Sequence, residues 1–279
     1  LALNPPSDSG HEDLTRWTRE EIAMKLHWVA FVAATIGLAA LAPLAPAAAD
    51  EFTPAQKQEL GPIIRDYLVS HPEVLREAIE ALDKRDKETA AVEQQKAVSD
   101  RAGPLFSSPF QANVGNPNGS ATLVEFFDYN CHFCKGALPD IAKLMKDDPN
   151  LKVVLKDFPV LGPGSVEAAR VASAARNQLP GDRFWAFHSK LLAMKGPIGK
   201  AEALAVAKEM GLDMDRLNKD MQDPQIDSGL QDIMSMADAL QINGTPSFVV
   251  GQEVVVGAVG FDQLKDKIDA VHKCGRSVC

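Results

Sequence analysis

Cysteine is scarce in this chain. Its 279 residues hold only four, too few to frame a small disulfide-built domain, so the core has to come from apolar packing. Basic charge is in deficit as well, with 29 Lys and Arg against 38 Asp and Glu and a formal net charge of −9. That balance lacks the electrostatic footprint of a nucleic-acid binder. A membrane-spanning run is missing too: the apolar stretch at residues 28–42 is stopped by Pro43 and Pro46, short of the roughly 20 residues that a spanning helix needs. No internal repeat breaks the sequence, and the only compositional bias is the alanine-rich segment that follows this stretch.

What stands there instead is a short cationic start at Met24, the apolar stretch and a small-residue Ala-Ala-Ala end. This is the pattern of a secretory signal peptide, with cleavage expected after Ala49. Residues 1–23 lack apolar periodicity and precede a candidate initiator, Met24, so they are read as a non-native upstream extension. Export places the rest in an oxidising compartment, periplasmic or extracellular, where disulfides persist. All four cysteines, Cys131, Cys134, Cys274 and Cys279, fall in that part.

From Thr53 the sequence reads helical. Thr53 stands three residues before Gln56 and Ser70 three before Glu73, two candidate capping boxes that predict two helix starts. Leu60, Ile64, Tyr67 and Leu68 line one face of the first helix; Val74, Leu75, Ala78, Ile79 and Leu82 line one face of the second. After Leu82 the stripe fades into polar sequence. Residues 50–109 are therefore expected to form a helical stalk outside the main core, either packed on it or pairing with copies of itself through residues 53–102.

The stretch SATLVEFFDY at residues 120–129 has the apolar, β-rich character of a buried central strand. A helix opening at the cysteines follows, then a second strand, NLKVVLKDFPV. That β-α-β unit argues for a parallel pair. Residues 161–239 then read as all-helical, with breaks at Gly, Pro, Asn and Asp. Strand character returns in TPSFVV and EVVVGAV, joined by a tight turn at Gly251-Gln252, and a last helix closes the chain. The predicted order is β-α-β, a helical insertion, then β-β-α.

The candidate chemistry lies at Cys131 and Cys134, two residues apart where the strand ends and the helix begins. Disulfide exchange needs a thiolate, and the free N–H groups and dipole of a helix start favour an anion. Cys131 sits at that start. Cys134, one turn on, can close a disulfide with it while being more sheltered. His132 and Phe133 lie between them and tune the pair, and a protonated His132 would add positive charge beside the thiolate. Zinc would need two further ligands at suitable spacing, and Cys274 and Cys279 are far along the chain. An inert staple would gain little from so short a loop.

These residues resemble the DsbA-like family of exported thiol-disulfide oxidoreductases, whose thioredoxin fold carries a helical insertion. The resemblance rests on VEFFDYNCHFCK and on NGTPSFVV, and it covers roughly residues 110–273. It implies an α/β, thioredoxin-like domain made of residues 110–160 and 240–279, with residues 161–239 inserted. It also implies a cis Pro246 facing the cysteines, with Thr245 offering backbone hydrogen bonds to an extended substrate. Glu125 matches the family's buried acidic residue, a proton shuttle for Cys134; the competing reading is an ion pair with Lys156. His188, among aromatic and leucine side chains, is read as a core or surface histidine.

The helices of residues 53–102 are similar to those of the ScsC-like branch of this family, some of whose members trimerise and act as isomerases. The His-Phe dipeptide departs from the family's patterns, so the choice between oxidase and isomerase is left open. The resemblance implies no cofactor or metal. It implies exported cysteine-containing clients and a membrane redox partner of the DsbB or DsbD type. The alternative class is a copper-handling or chaperone-like binding protein using the cysteines as soft ligands. Cys274 and Cys279 are read as a small local disulfide, with free thiols as the alternative.

Overall fold

A computed structural model describes residues 52–279. The leader and the upstream extension assigned to residues 1–49 lie outside the described residues. The described residues fall into two units, with the boundary between Leu75 and Arg76.

The described part of the first unit holds helix α1 (Pro54–Ser70) and the start of α2 (Pro72–Asp100). Thr53 caps α1 in a full capping box with Gln56. The second expected box does not form. Ser70 is still the last residue of α1, and only His71 separates the two helices, so Ser70 has no turn in which to cap the next one. The apolar side chains Leu60, Ile64, Tyr67 and Leu75 are exposed.

In the second unit, α2 runs on to Asp100 and is followed by α3 (Ala102–Phe106), β1 (Ala112–Gly115), β2 (Ala121–Phe127), α4 (His132–Asp147) and β3 (Leu151–Asp157). Next come α5 (Pro163–Ala175), α6 (Asp182–Ala193), α7 (Lys200–Glu209), α8 (Met214–Asp220) and α9 (Pro224–Ala239). Strands β4 (Ser247–Val250) and β5 (Glu253–Val256) and helix α10 (Phe261–Cys274) complete it. This is the mixed α/β, thioredoxin-like arrangement expected. Strand β1 was not foreseen: four residues with an interrupted apolar pattern are too short to show a period, and they pair only along the edge of β3.

The sheet order is β1-β3-β2-β4-β5. Strands β2 and β3 are parallel, and β1, β4 and β5 join antiparallel. Both central strands are buried along almost their whole length, because helices cover both faces. The front face carries Leu123, Phe127, Val153 and Leu155 under α4, α10 and the helical insertion. The back face carries Val124, Phe126 and Val154 under Val98 of α2, Leu105 of α3 and Ile233, Met236 and Ala237 of α9. Helix α9 therefore serves both layers, since its earlier residues Ile226 and Leu230 pack with the front. Gly229 lies between them, where a Cβ would come 2.5 Å from the Phe110 ring. The end of the stalk segment is core: Val98 and Leu105 are fully buried.

Among the described residues no helix is long and apolar enough to cross a membrane.

Candidate active site

Strand β2 delivers the chain through Asp128-Tyr129-Asn130 to Cys131, which is the N-cap of α4. Cys134, Ala137, Ile141 and Leu144 form the buried stripe of that helix. Their spacing of three and four pins the helix to the front face and turns Cys134 inward. The Cys134 N–H donates to Cys131 Sγ at 3.4 Å, and the Cys131 thiol donates to the Thr245 carbonyl at 3.1 Å. The peptide bond from Thr245 to Pro246 is cis. Residues 114 positions apart in sequence are thus brought into direct contact.

Both cysteines are free thiols, and both are buried in the chain. His132 and Phe133 project outward, with Phe133 64% exposed. Cys134 is the sheltered partner. Burial first, and the Glu125 carboxyl second, hold its thiol far above the ordinary value. Glu125 is itself fully buried on β2, and burial pushes its pKa to about 8. Neither of its oxygens has a hydrogen-bond partner among the described residues.

The ion pair of Glu125 with Lys156 does not form. Glu125 lies opposite Leu155 in the β2–β3 register, so Lys156, one residue on, points to the other face. Its Nζ donates instead to the Pro104 carbonyl at 2.8 Å and to Gln111 Oε1 at 2.7 Å.

A hydrogen-bonded clamp ahead of Cys131 was not foreseen. Asp128 Oδ1 accepts from the Ser165 hydroxyl at 2.7 Å and from the Asn130 N–H at 2.8 Å, and Asp128 Oδ2 accepts from the Leu161 N–H. The Asn130 side chain donates to the Ile198 carbonyl at 2.8 Å and accepts from the Ile198 N–H at 2.6 Å. Active-site loop and helical insertion are tied together at three points. The polar triplet Asp-Tyr-Asn before the first cysteine was the available signal, but its partners lie 33 to 68 residues away.

His188 is a core residue, as read from its neighbours. It is fully buried against Phe127, Phe184 and Trp185, with Nδ1 3.4 Å from the Tyr129 hydroxyl, and burial lowers its pKa to about 3. Cys274 and Cys279 are joined in a disulfide. Cys274 is the last residue of α10 rather than part of a tail beyond it. Among the described residues no cluster of three or more His, Cys, Asp or Glu could hold a metal ion.

The arrangement has what thiol-disulfide exchange requires. One thiol sits at a helix start beside an extended backbone, a second lies buried behind it, and a buried carboxyl that holds its proton near neutral pH stands close to the second.

Comparison with known proteins agrees with this geometry. Residues 122–269 match the DSBA-like thioredoxin domain, and residues 56–88 match the copper resistance protein ScsC N-terminal domain. A thioredoxin-like oxidoreductase from Silicibacter pomeroyi DSS-3 superposes with a TM-score of 0.58 at 42% identity, covering 61% of this chain and 96% of that one. A linker-deletion mutant of Proteus mirabilis ScsC superposes with a TM-score of 0.59 at 28% identity, covering 80% and 97%. Among curated proteins, the Na(+)/H(+) antiporter NhaA 1 of Salinispora arenicola (strain CNS-205) is 31% identical over 159 residues, which cover 56% of this chain and 24% of the antiporter. The chain spans about a quarter of the length of the antiporters it matches.

Proposed function

The chain belongs to the DSBA-like thioredoxin family, and on that premise we propose that it is a periplasmic protein thiol-disulfide oxidoreductase acting on exported proteins that contain cysteines. The observation that carries this reading is the contact between Cys131 and the Thr245 carbonyl, with Cys134 buried behind. An extended client segment lying along residues 245–246 has its sulfur delivered to Cys131 and not to Cys134.

A client thiolate attacks Cys131 Sγ of the oxidised pair. The Cys131–Cys134 bond breaks, a client–Cys131 disulfide forms, and Cys134 leaves as a thiolate. Glu125, protonated near neutral pH, supplies the proton that Cys134 takes up. A second client thiolate then attacks the client sulfur of the mixed disulfide, releases Cys131 and leaves the client oxidised. Isomerisation starts from the reduced pair: the Cys131 thiolate attacks a client disulfide to form the mixed disulfide and frees one client thiolate. A different client thiolate then attacks the client sulfur of the mixed disulfide, and Cys131 leaves as a thiolate. The pair ends reduced and the client has exchanged one disulfide for another. The electrons reside on the sulfurs, so the site needs no cofactor. A membrane partner of the DsbB or DsbD type would reset the pair.

The leader pattern at residues 24–49 supports export. The exposed apolar positions Leu60, Ile64 and Tyr67 of α1, with the match to the ScsC N-terminal domain, support self-association through residues 53–102. That match also supports a second reading, copper handling by the two adjacent thiols.

The test is the reduction potential of the Cys131–Cys134 pair, equilibrated against glutathione with Cys274 and Cys279 both replaced by Ser. A potential on the order of −120 mV supports an oxidase, about −180 mV an isomerase, and about −270 mV a reductase. Failure to form a reversible disulfide sinks the exchange reading. Copper bound by the reduced protein and lost on Cys131→Ser, without any exchange activity, favours the second.

A further inference from the structure

The mechanism above uses Glu125 but leaves a second buried acid unexplained. Asp157 ends β3, is 3% exposed, and its Oδ1 has no hydrogen-bond partner among the described residues. In the parallel β2–β3 register Glu125 lies opposite Leu155 and Phe127 opposite Asp157. Alternate residues of a strand share a face, so Glu125, Phe127, Leu155 and Asp157 all point to the front. Glu125 and Asp157 are diagonal cross-strand neighbours, one same-face position apart along the parallel pair.

Besides the apolar side chains of Phe127 and Leu155, several polar groups lie on this side of the sheet. Tyr129, two residues beyond Phe127, is 1% exposed, and its ring centroid lies 5.0 Å from that of Phe127. Its hydroxyl is within 3.4 Å of His188 Nδ1 on α6. The charges facing Asp157 are Arg176, just past α5, which favours its ionised form, and Asp128, which opposes it. Tyr129 feels Asp157, Arg176 and Glu125 together. Arg176 Nη1, His188 Nε2 and the Ser189 hydroxyl are buried without hydrogen-bond partners among the described residues, like both oxygens of Glu125. His188 and Ser189 are on α6 and Arg176 follows α5, both helices of the insertion, while Glu125 and Asp157 are on the sheet. Native interiors leave few polar atoms unpaired and serve them with internal water, so a group of them in one place is a candidate hydrogen-bonded path.

We propose that Asp157 is the second station of a buried proton path, a positioning residue that reloads Glu125 each time Glu125 gives its proton to Cys134. The inference rests on Cys131 and Cys134 being the exchanging pair. When the client thiolate breaks the Cys131–Cys134 bond, Cys134 departs with the electron pair and takes the Glu125 proton. Glu125, now a carboxylate in an apolar site, takes up a proton along the path as Asp157 gives one up, and the charge comes to rest near Arg176, the cation that favours the ionised form of Asp157. Electrons and protons balance, and the path runs backward when the pair is reoxidised. Burial also raises Asp157 to about 7, so it can hold and release a proton at the pH where exchange operates.

The test is a carboxyl carbon NMR titration of the full chain in its oxidised and reduced forms, with Asp157→Asn and Glu125→Gln to assign the two resonances. Two buried carboxyls should titrate in the neutral range, and oxidation of the cysteines should move both midpoints. Glu125→Gln should abolish the redox dependence of Asp157. In rapid-mixing experiments Asp157→Asn should slow release of Cys134 about 10-fold at neutral pH and flatten its pH profile. An Asp157 midpoint that is identical in the two redox states, while that of Glu125 shifts, would overturn this inference and leave the exchange reading standing. That comparison uses the wild-type chain, so it survives a variant that fails to fold. Cysteines that never form a reversible disulfide would overturn both.

Discussion

The two faces of the central sheet each bury an ionisable side chain, and they treat it in opposite ways. On the back, Lys156 is fully enclosed and gives two good hydrogen bonds, to Pro104 and Gln111. On the front, Glu125 is equally enclosed and makes none among the described residues. An ionisable group that is buried and satisfied fastens structure. One left buried and unsatisfied carries a cost that a fold keeps only where the cost is used. The Lys156 bonds hold the α3 segment to the back of the sheet, whereas the Glu125 isolation keeps a proton next to Cys134.

The sharpest break between the faces is loss of the nucleophile. Cys131→Ser should abolish disulfide exchange in an insulin-reduction or refolding assay, while calorimetry finds a fold as stable as before. Nothing changed on the back face should do this.

Next in size is the opposed pH dependence of the two buried groups. Glu125 has its pKa raised from 4.5 to about 8, so between those values the folded state keeps a proton that the unfolded chain has lost. Its contribution to stability therefore falls as pH rises through that window and levels off above it. Glu125→Gln removes the slope and should make the protein more stable by roughly 3–5 kcal/mol at pH 9, with little change at pH 4. Lys156 has its pKa lowered from 10.5 to about 7. Between these values the unfolded chain holds the extra proton, so stability rises with pH, and Lys156→Met should remove that rise. Urea titrations from pH 4 to 10 read both slopes. Equal slopes of one sign would end the comparison.

Truncation of Lys156 tests fastening directly. Lys156→Ala should cost about 3 kcal/mol, because it leaves the Pro104 and Gln111 acceptors unpaired beside a new cavity. Cys131 should keep its alkylation rate. On the front, Asn130→Ala should cost about 1–3 kcal/mol through the two Ile198 bonds and should also change client exchange, because the insertion is freed from the active-site loop. Smallest is the double change of Cys274 and Cys279 to Ser. The loop they close spans a sequence separation of 5, so the loss should stay at or below about 2 kcal/mol, with exchange unaltered.

The pair of central strands, the helix opening at Cys131 and the helical insertion could all be read from the chain, because apolar spacing and glycine and proline breaks are local signals. Strand β1 could not, since its four residues form an edge strand only because β3 offers them a ladder. The burial of Val98 and Leu105 was hidden for a similar reason: a polar-looking helix end becomes core when a sheet face lies beneath it. The competing partner for Glu125 was reasonable by charge and wrong by parity, since the residue next to its cross-strand neighbour must face away.

By itself the sequence determined the chemistry on offer: two cysteines one helical turn apart, an acid six residues earlier, and Thr-Pro ahead of a strand. Those are properties of type and spacing, and they travel along the chain. Only the tertiary structure decided that Thr245 meets Cys131, that Glu125 stands without a partner among the described residues, and that Asp157 shares its face of the sheet. Contact across the sheet, pairing parity and exclusion from water depend on which elements stack on which face, and no local stretch of residues carries that information.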